Sequence, residues 1–196
     1  MMKRIILASK SPYRKELLQR LGISFECSPS NVNEALFKDQ IKDPIELTRV
    51  LALEKAKKVA NENQNALIIG SDQVCHIEGK ILGKAGDLDT AFKQLSLLSA
   101  KVHELITSYT IIDGKNTVTK TNITKLYMRN LTDNQIKNYL RVDNPIDCAG
   151  SYKLELNGIS LFSKIETDDH TAIIGLPLIC LATELNKLSI SIPPEL

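Results

Sequence analysis

Apolar residues along this chain fall into short unbroken runs that alternate with sets at helical spacing. "RIILAS" at 4–9 reads as a buried strand. Ser11 is a good N-cap and Pro12 a good first helical residue, so a helix is expected over 12–21, stopping at Gly22. "SFECS" reads as a second, short strand, and the polar segment 29–42 as a loop with a helical turn. Asp43-Pro44 repeats the cap-plus-proline start, and "IELTRVLALEKAKKVANEN" carries apolar residues at helical spacing, which predicts a long helix over 44–62. "ALIIGSDQVCHI" reads as a buried strand, a turn and another strand, and "EGK" returns the chain into "IL". An amphipathic helix is expected over 87–98, after Asp87.

The stretch "KVHELITSYTIIDGKNTVTKTNITKLYMR" alternates on both sides of "DGKN", the signature of a long hairpin. Thr132 with Gln135 three residues on is a capping-box pattern opening a helix. "GISLF" reads as the last strand and 177–187 as the last helix. The tail "SISIPPEL", with its two prolines, is expected on the surface. Strands interleave with helices around one long hairpin, which is mixed α/β and not a strict parallel repeat.

Composition narrows the function classes. The 196 residues suit one domain, 43% apolar and 24% charged, as in ordinary globular proteins. A net charge of +2 with scattered basic residues argues against a nucleic-acid stripe, so any anion site must be local. No run approaches the roughly 18 apolar residues of a membrane span. "MMKRIILAS" is too short and too quickly charged for a signal peptide. Cys27, Cys75, Cys148 and Cys180 are far apart, which reads as free thiols in a reducing cytoplasm. His76, His103 and His170 lack zinc spacing, so no structural metal is expected.

Candidate chemistry begins at "SKSPYRK". A strand, a tight turn and a helix N-terminus present free N–H groups and the positive end of a helix dipole to an anion. Ser9 and Ser11 add hydroxyls and Arg14 a fork of donors. The competing reading is a well-capped helix with a basic outer face. "GKILGKA" resembles a Walker loop but has three residues between its glycines and Ala85 in place of the magnesium-binding hydroxyl, so it reads as a hairpin with two lysines. Asp72 lies just beyond a buried apolar run, where carboxylates hold metals or act as bases, and a turn aspartate is the alternative. Glu34 and Lys55 are weak signals taken singly. No Ser/His/Asp or Cys/His triad assembles, which disfavours covalent catalysis.

Taken together, "ILASKSPYRKELL", "VNE", "LEKAKKVA", "IIGSDQV", Gly83-Lys84, "CAGSYKLE" and "IGLPL" resemble, in order, the motifs of Maf proteins. The resemblance runs over roughly residues 3 to 186. It implies one Maf-like domain over 1–196, an elongated mixed sheet flanked by helices with two lobes around a cleft, similar to inosine-triphosphate pyrophosphatases. It also implies hydrolysis between the α- and β-phosphates of a nucleoside triphosphate, a divalent cation (Mg²⁺ or Mn²⁺), and a homodimer. By motif, Asp72 matches the catalytic base and, with Glu34, the metal-binding carboxylates. Ser9, Arg14, Lys55 and Lys84 match the polar groups that hold the triphosphate. Sequence does not divide the roles of Asp72 and Glu34.

Tyr13, Gln73 and Glu155 resemble the branch acting on 7-methyl-GTP, where many relatives acting on dTTP and UTP carry "SPRR" and "ADT". N7-methylation makes guanine cationic, so an aromatic face gains a cation–π term of roughly 0.5–2 kcal/mol. Departures from the family pattern are Asn33, Lys15, Ala85 and Ala172. The "GLP" stretch reads as structural. The expected function is therefore a cytoplasmic enzyme on a small-molecule nucleotide, with no nucleic-acid or membrane partner, clearing 7-methyl-GTP before it reaches RNA. The alternatives are a dTTP/UTP or broad-range pyrophosphatase, and a nucleotide-binding regulator of septum formation.

Overall fold

A computed structural model describes residues 3–194. The sheet has the order β2-β1-β3-β5-β6-β7, with β4 paired to β3. Its strands are β1 (Arg4–Leu7), β2 (Glu26–Cys27), β3 (Ala66–Ile77), β4 (Lys80–Leu82), β5 (Val102–Asp113), β6 (Asn116–Met128) and β7 (Phe162–Glu166). β2, β1 and β3 run parallel, whereas β4 on β3 and β7 on β6 are antiparallel, so the sheet is mixed as the interleaved pattern predicts. The helices are α1 (Pro12–Gln19), α2 (Glu34–Gln40), α3 (Pro44–Glu62), α4 (Leu88–Leu98), α5 (Asp133–Asp143), α6 (Thr171–Ile174) and α7 (Leu178–Lys187).

The caps follow the sequence closely. Asp43 accepts from Glu46 N at 2.7 Å and α3 starts at Pro44. Asp87 accepts from Thr90 N at 2.7 Å to open α4. Thr132 and Gln135 close a reciprocal capping box at the start of α5. These bonds satisfy N–H groups that a helix start otherwise leaves without partners. The hairpin turns at Gly114, whose φ of +58° is easy only without a Cβ.

Four expectations need correction. The segment 29–42 holds a seven-residue helix, α2, with no buried side chain, so no hydrophobic periodicity announces it. "ALIIGSDQVCHI" is one unbroken strand, because its polar residues are paired internally and do not need water. "GISLF" is mostly a 3-10 turn over Asn157–Leu161, and β7 starts at Phe162. The first helix ends at Gln19, two residues before the expected stop. The described part of the tail, 189–194, is exposed or half-buried; Glu195 and Leu196, like Met1 and Met2, lie outside the described residues.

The chain forms two compact units. Among the described residues, the first comprises 3–72, 107–122 and 169–194. Its core packs Ile5, Leu7, Leu67 and Ile69 of the sheet against Leu17 and Leu18 of α1 and Leu181 and Leu185 of α7. Ala8, Ala56, Val59 and Ile68 form a second cluster under α3. The second unit comprises residues 73–106 and 123–168, where α4 packs on α5 and Ala91, Leu95, Ile136 and Leu140 are buried. The strand β3 passes from the first unit into the second between Asp72 and Gln73.

Candidate active site

The register of β1 on β3 pairs Leu7 with Ile69, and Ala8 N still donates to Ile69 O at 2.8 Å. β1 therefore ends while β3 runs on for several residues, and the Ser9–Ser11 turn and the start of α1 lie beside Ser71 and Asp72. Ser9 Oγ accepts from Ser11 N at 3.1 Å, and Ser11 caps α1. Tyr13 is the second helical residue and half-buried, and Arg14 the third.

α3 supplies the cation. Thr48, Leu51, Ala52, Lys55, Ala56 and Val59 form its buried face, so Lys55 stands where a leucine would otherwise pack. Gly70 lets this face come close to β3. A Cβ there would lie 2.4 Å from Ala52 O and 2.8 Å from Ala56 N. On the same face of β3, two residues on, Asp72 Oδ1 accepts from Lys55 Nζ at 2.6 Å. Lys55 is 9% exposed and Asp72 5%, so the pair is largely withdrawn from water.

Glu34, the first residue of α2, closes the cluster. Its Oε1 lies 2.7 Å from Lys55 Nζ, and its Oε2 accepts from Lys38 at 2.8 Å. Two carboxylates thus converge on one ammonium. Arg14 is close enough for its charge to act on both. Its Nε donates to Gly175 O at 3.0 Å, and Ser71 Oγ donates to the same carbonyl at 3.0 Å. Gly175 has φ +124°, and a Cβ there would stand 3.4 Å from Arg14 Nε.

The "GLP" stretch therefore contributes a backbone carbonyl that fixes a guanidinium. Asp169 wires the loop that presents it. It accepts from Thr171 N and Oγ1 at 2.9 and 2.5 Å and from Ile179 N at 2.7 Å.

The electrostatics separate the two acids. Burial raises the Asp72 pKa above the ordinary aspartate value, and the nearby Lys55 and Arg14 charges only partly offset it. Burial also opposes ionisation of Glu34, but there Lys55 and Lys38 prevail and bring the carboxyl down to about 2. Burial lowers the Arg14 pKa, against the pull of Asp72 and Glu34, and the guanidinium remains a cation. The buried acid is thus the better proton acceptor and the outer acid the firmer anion.

The other expected residues belong to the second unit. Gln73 follows Asp72 on β3 and, by strand alternation, faces the side of Ser71 and Cys75. Lys84 is exposed and bridges to Ala149 in an antiparallel pairing. Glu155 is exposed on a turn just before the 3-10 segment. So the structure gathers Ser9, Arg14, Glu34, Lys55 and Asp72 in the first unit, and places Gln73, Lys84 and Glu155 in the second. Among the described residues, no group of three or more His, Cys, Asp or Glu side chains is arranged to hold a metal.

Sequence reading missed Ser71, Gly70, Gly175 and Asp169. Gly70 had a signal, since a glycine inside an apolar strand marks close backbone approach. The others act through partners far away in sequence, and nothing local announces them.

The chain is a mixed α/β protein whose fold is similar to that of Ham1 proteins. Ham1 from Staphylococcus aureus superposes with a TM-score of 0.51 at 13% identity, over 95% of this chain and 100% of that one. The chain belongs to the Maf-like protein family, which matches residues 4–188. Similar relatives include a protein named 7-methyl-GTP pyrophosphatase from Bdellovibrio bacteriovorus, 45% identical over 95% of each chain. Another of that name, from Cupriavidus pinatubonensis, is 41% identical over 94% of this chain and 92% of the relative.

Proposed function

We propose that this protein is a nucleoside-triphosphate pyrophosphatase that hydrolyses 7-methyl-GTP to 7-methyl-GMP and pyrophosphate. The observation that carries the proposal is Asp72, buried yet paired to Lys55 beside Arg14 and Glu34, in a Maf-family chain. Its relatives bearing the pyrophosphatase name match over nearly their whole length.

The reaction joins a water oxygen to the α-phosphorus and breaks the bond from that phosphorus to the bridging oxygen, so that pyrophosphate leaves. Asp72 accepts the water proton, and its raised pKa makes it a stronger base than an ordinary aspartate. Arg14 and Lys55 neutralise phosphate charge in a site partly shielded from water, where each charge counts for more. Lys84 adds a further cation on the phosphate chain. The Ser9–Ser11 turn and the α1 N-terminus offer N–H groups to phosphate oxygens.

The residues present suit a hard divalent cation. Asp72 Oδ1 and Glu34 Oε1 both lie against Lys55 Nζ, at 2.6 and 2.7 Å, and these two carboxylates would hold the ion, since Mg²⁺ or Mn²⁺ is commonly bound by one or two carboxylates with water and phosphate oxygens completing its shell. When bound, such an ion supplies charge neutralisation and a more acidic water. The base-reading residues are Tyr13, Gln73 and Glu155. The Tyr13 ring stacks on the cationic methylguanine, Glu155 accepts from N1–H and the exocyclic amine, and Gln73 adds an amide contact. The enzyme then works in the cytoplasm, as a homodimer, removing a modified nucleotide before RNA synthesis.

Asp72→Asn tests the chemistry. Pyrophosphate release from 7-methyl-GTP is expected to fall ~100-fold or more with the melting temperature retained. Unchanged release in that variant overturns the assignment.

A further inference from the structure

The second unit contains a buried polar cluster that the chemistry above does not use. His103, on β5, is 2% exposed, and its Nε2 lies 3.0 Å from Tyr152 Oη. Its Nδ1 has no hydrogen-bond partner among the described residues. The Tyr152 hydroxyl also hydrogen-bonds Cys75, on β3. Tyr152 is 4% exposed, and its ring meets Phe162 edge-on at 5.0 Å between centroids.

Buried N–H groups without acceptors are rarer than buried acceptors without donors. That assigns the proton of His103 to Nε2, donating to Tyr152, whose own O–H donates to Cys75 Sγ. Three side chains from β3, β5 and the 148–155 segment are thereby joined through one hydroxyl.

The backbone around Tyr152 is built for this plug. Gly150 has φ +75°, and a Cβ there would lie 2.8 Å from Tyr152 Cε1 and 3.0 Å from Cys75 Sγ. Ser151 also has positive φ, +61°, and its hydroxyl donates to Gln94 at 2.6 Å. Lys153 N donates to Tyr139 Oη at 2.9 Å. Lys153 O accepts from Leu156 N and Gly158 N, at 3.2 and 3.1 Å, and so closes the turn that carries Glu155. Cys75 lies two residues beyond Gln73 on the same face of β3, and Tyr152 lies three residues before Glu155.

We infer that Tyr152, held by His103 and Cys75, is a positioning residue for base selectivity: it locks the Glu155 turn to the stretch of β3 that carries Gln73. This rests on the proposed role of Glu155 in reading the base. Selectivity is then a property of a rigid pair of polar side chains whose spacing is set by a hydroxyl beneath them.

The test is a double-mutant cycle of Tyr152→Phe and Glu155→Gln, read as the ratio of kcat/KM for 7-methyl-GTP over GTP. Tyr152→Phe keeps the ring and removes only the hydroxyl. It is expected to lower the ratio about fivefold, the scale of one hydrogen bond, through KM for 7-methyl-GTP with kcat little changed. In the Glu155→Gln background it should have no further effect on the ratio. Cys75→Ala should repeat the loss, and Cys75→Ser, which restores an acceptor, should recover it.

An unchanged ratio in Tyr152→Phe and Cys75→Ala, with only lowered melting temperatures, would reduce the cluster to core packing and overturn the inference while the Glu155 reading stands. An unchanged ratio in Glu155→Gln alone overturns both.

Discussion

The two units bury polar groups in opposite ways. In the first, Asp72, Lys55, Glu34 and Arg14 carry formal charges that cancel one another at short range. In the second, His103, Tyr152 and Cys75 are kept neutral: burial brings the His103 pKa down to about 4 and pushes the Cys75 thiol up to about 12. A charged cluster can exchange its internal partners for a charged ligand, because what it loses in ion pairs it regains in new ones. A neutral hydrogen-bonded cluster has nothing to offer a phosphate and is suited to holding a backbone still. On the proposed function the charged cluster serves the phosphate chemistry and the neutral cluster fixes geometry, and each assignment can be broken separately.

The largest expected effect on stability comes from stripping the charged cluster of its cation. Lys55→Met leaves Asp72 buried without its nearest partner and should cost about 3 kcal/mol or more in denaturant unfolding near neutral pH. Adding Asp72→Asn should recover much of that loss, since the stranded charge is gone. If the double variant is no more stable than Lys55→Met, the pair is not the electrostatic unit described.

Acidification sharpens the comparison, because the two regions titrate in different windows. His103 has a folded pKa of about 4 against an ordinary 6.5, so the unfolded chain binds that proton first. Its contribution is present above pH 6.5 and is lost as pH falls towards 4, by up to about 3 kcal/mol. Glu34, depressed from 4.5 to about 2, contributes above 4.5 and is lost as pH falls towards 2. Asp72, whose pKa is raised, acts in the opposite sense, since the folded state takes up its proton first. Unfolding free energy followed from pH 7 to 4 should fall less steeply in His103→Gln than in the parent chain, and parallel curves would refute the neutral-histidine assignment.

The smallest effect belongs to the base. Tyr13→Ala is expected to lower kcat/KM for 7-methyl-GTP by ~2- to 30-fold relative to dTTP, the range a single cation–π contact spans. Equal losses on both nucleotides would make Tyr13 a packing residue.

Much of this was legible in the chain. Asp43-Pro44 and the Thr132/Gln135 pair announce their helices because capping is local chemistry, with donor and acceptor only three residues apart. Arg14, Glu34, Lys55 and Asp72 were each visible as candidates through motif order. That they form a single ionic cluster was not, since Lys55 reads by itself as one more charge in "EKAKK". Its place on the buried face of α3, between Ala52 and Ala56, was the overlooked signal. The polar "SDQ" suggested a turn because polarity usually means solvent. In the fold, Ser71 finds the Gly175 carbonyl, 104 residues away, and Asp72 finds Lys55. The hydroxyl that joins His103 to Tyr152 spans 49 residues and leaves no local trace.

The most direct test of the account is a nucleotide panel: purified protein with Mg²⁺ or Mn²⁺, offered 7-methyl-GTP, GTP, dTTP and UTP, with pyrophosphate and the monophosphate product both measured. The account predicts the highest kcat/KM for 7-methyl-GTP, with pyrophosphate and 7-methyl-GMP formed in equal amounts. A higher kcat/KM for dTTP or UTP, orthophosphate in place of pyrophosphate, or no release from any nucleotide would contradict it.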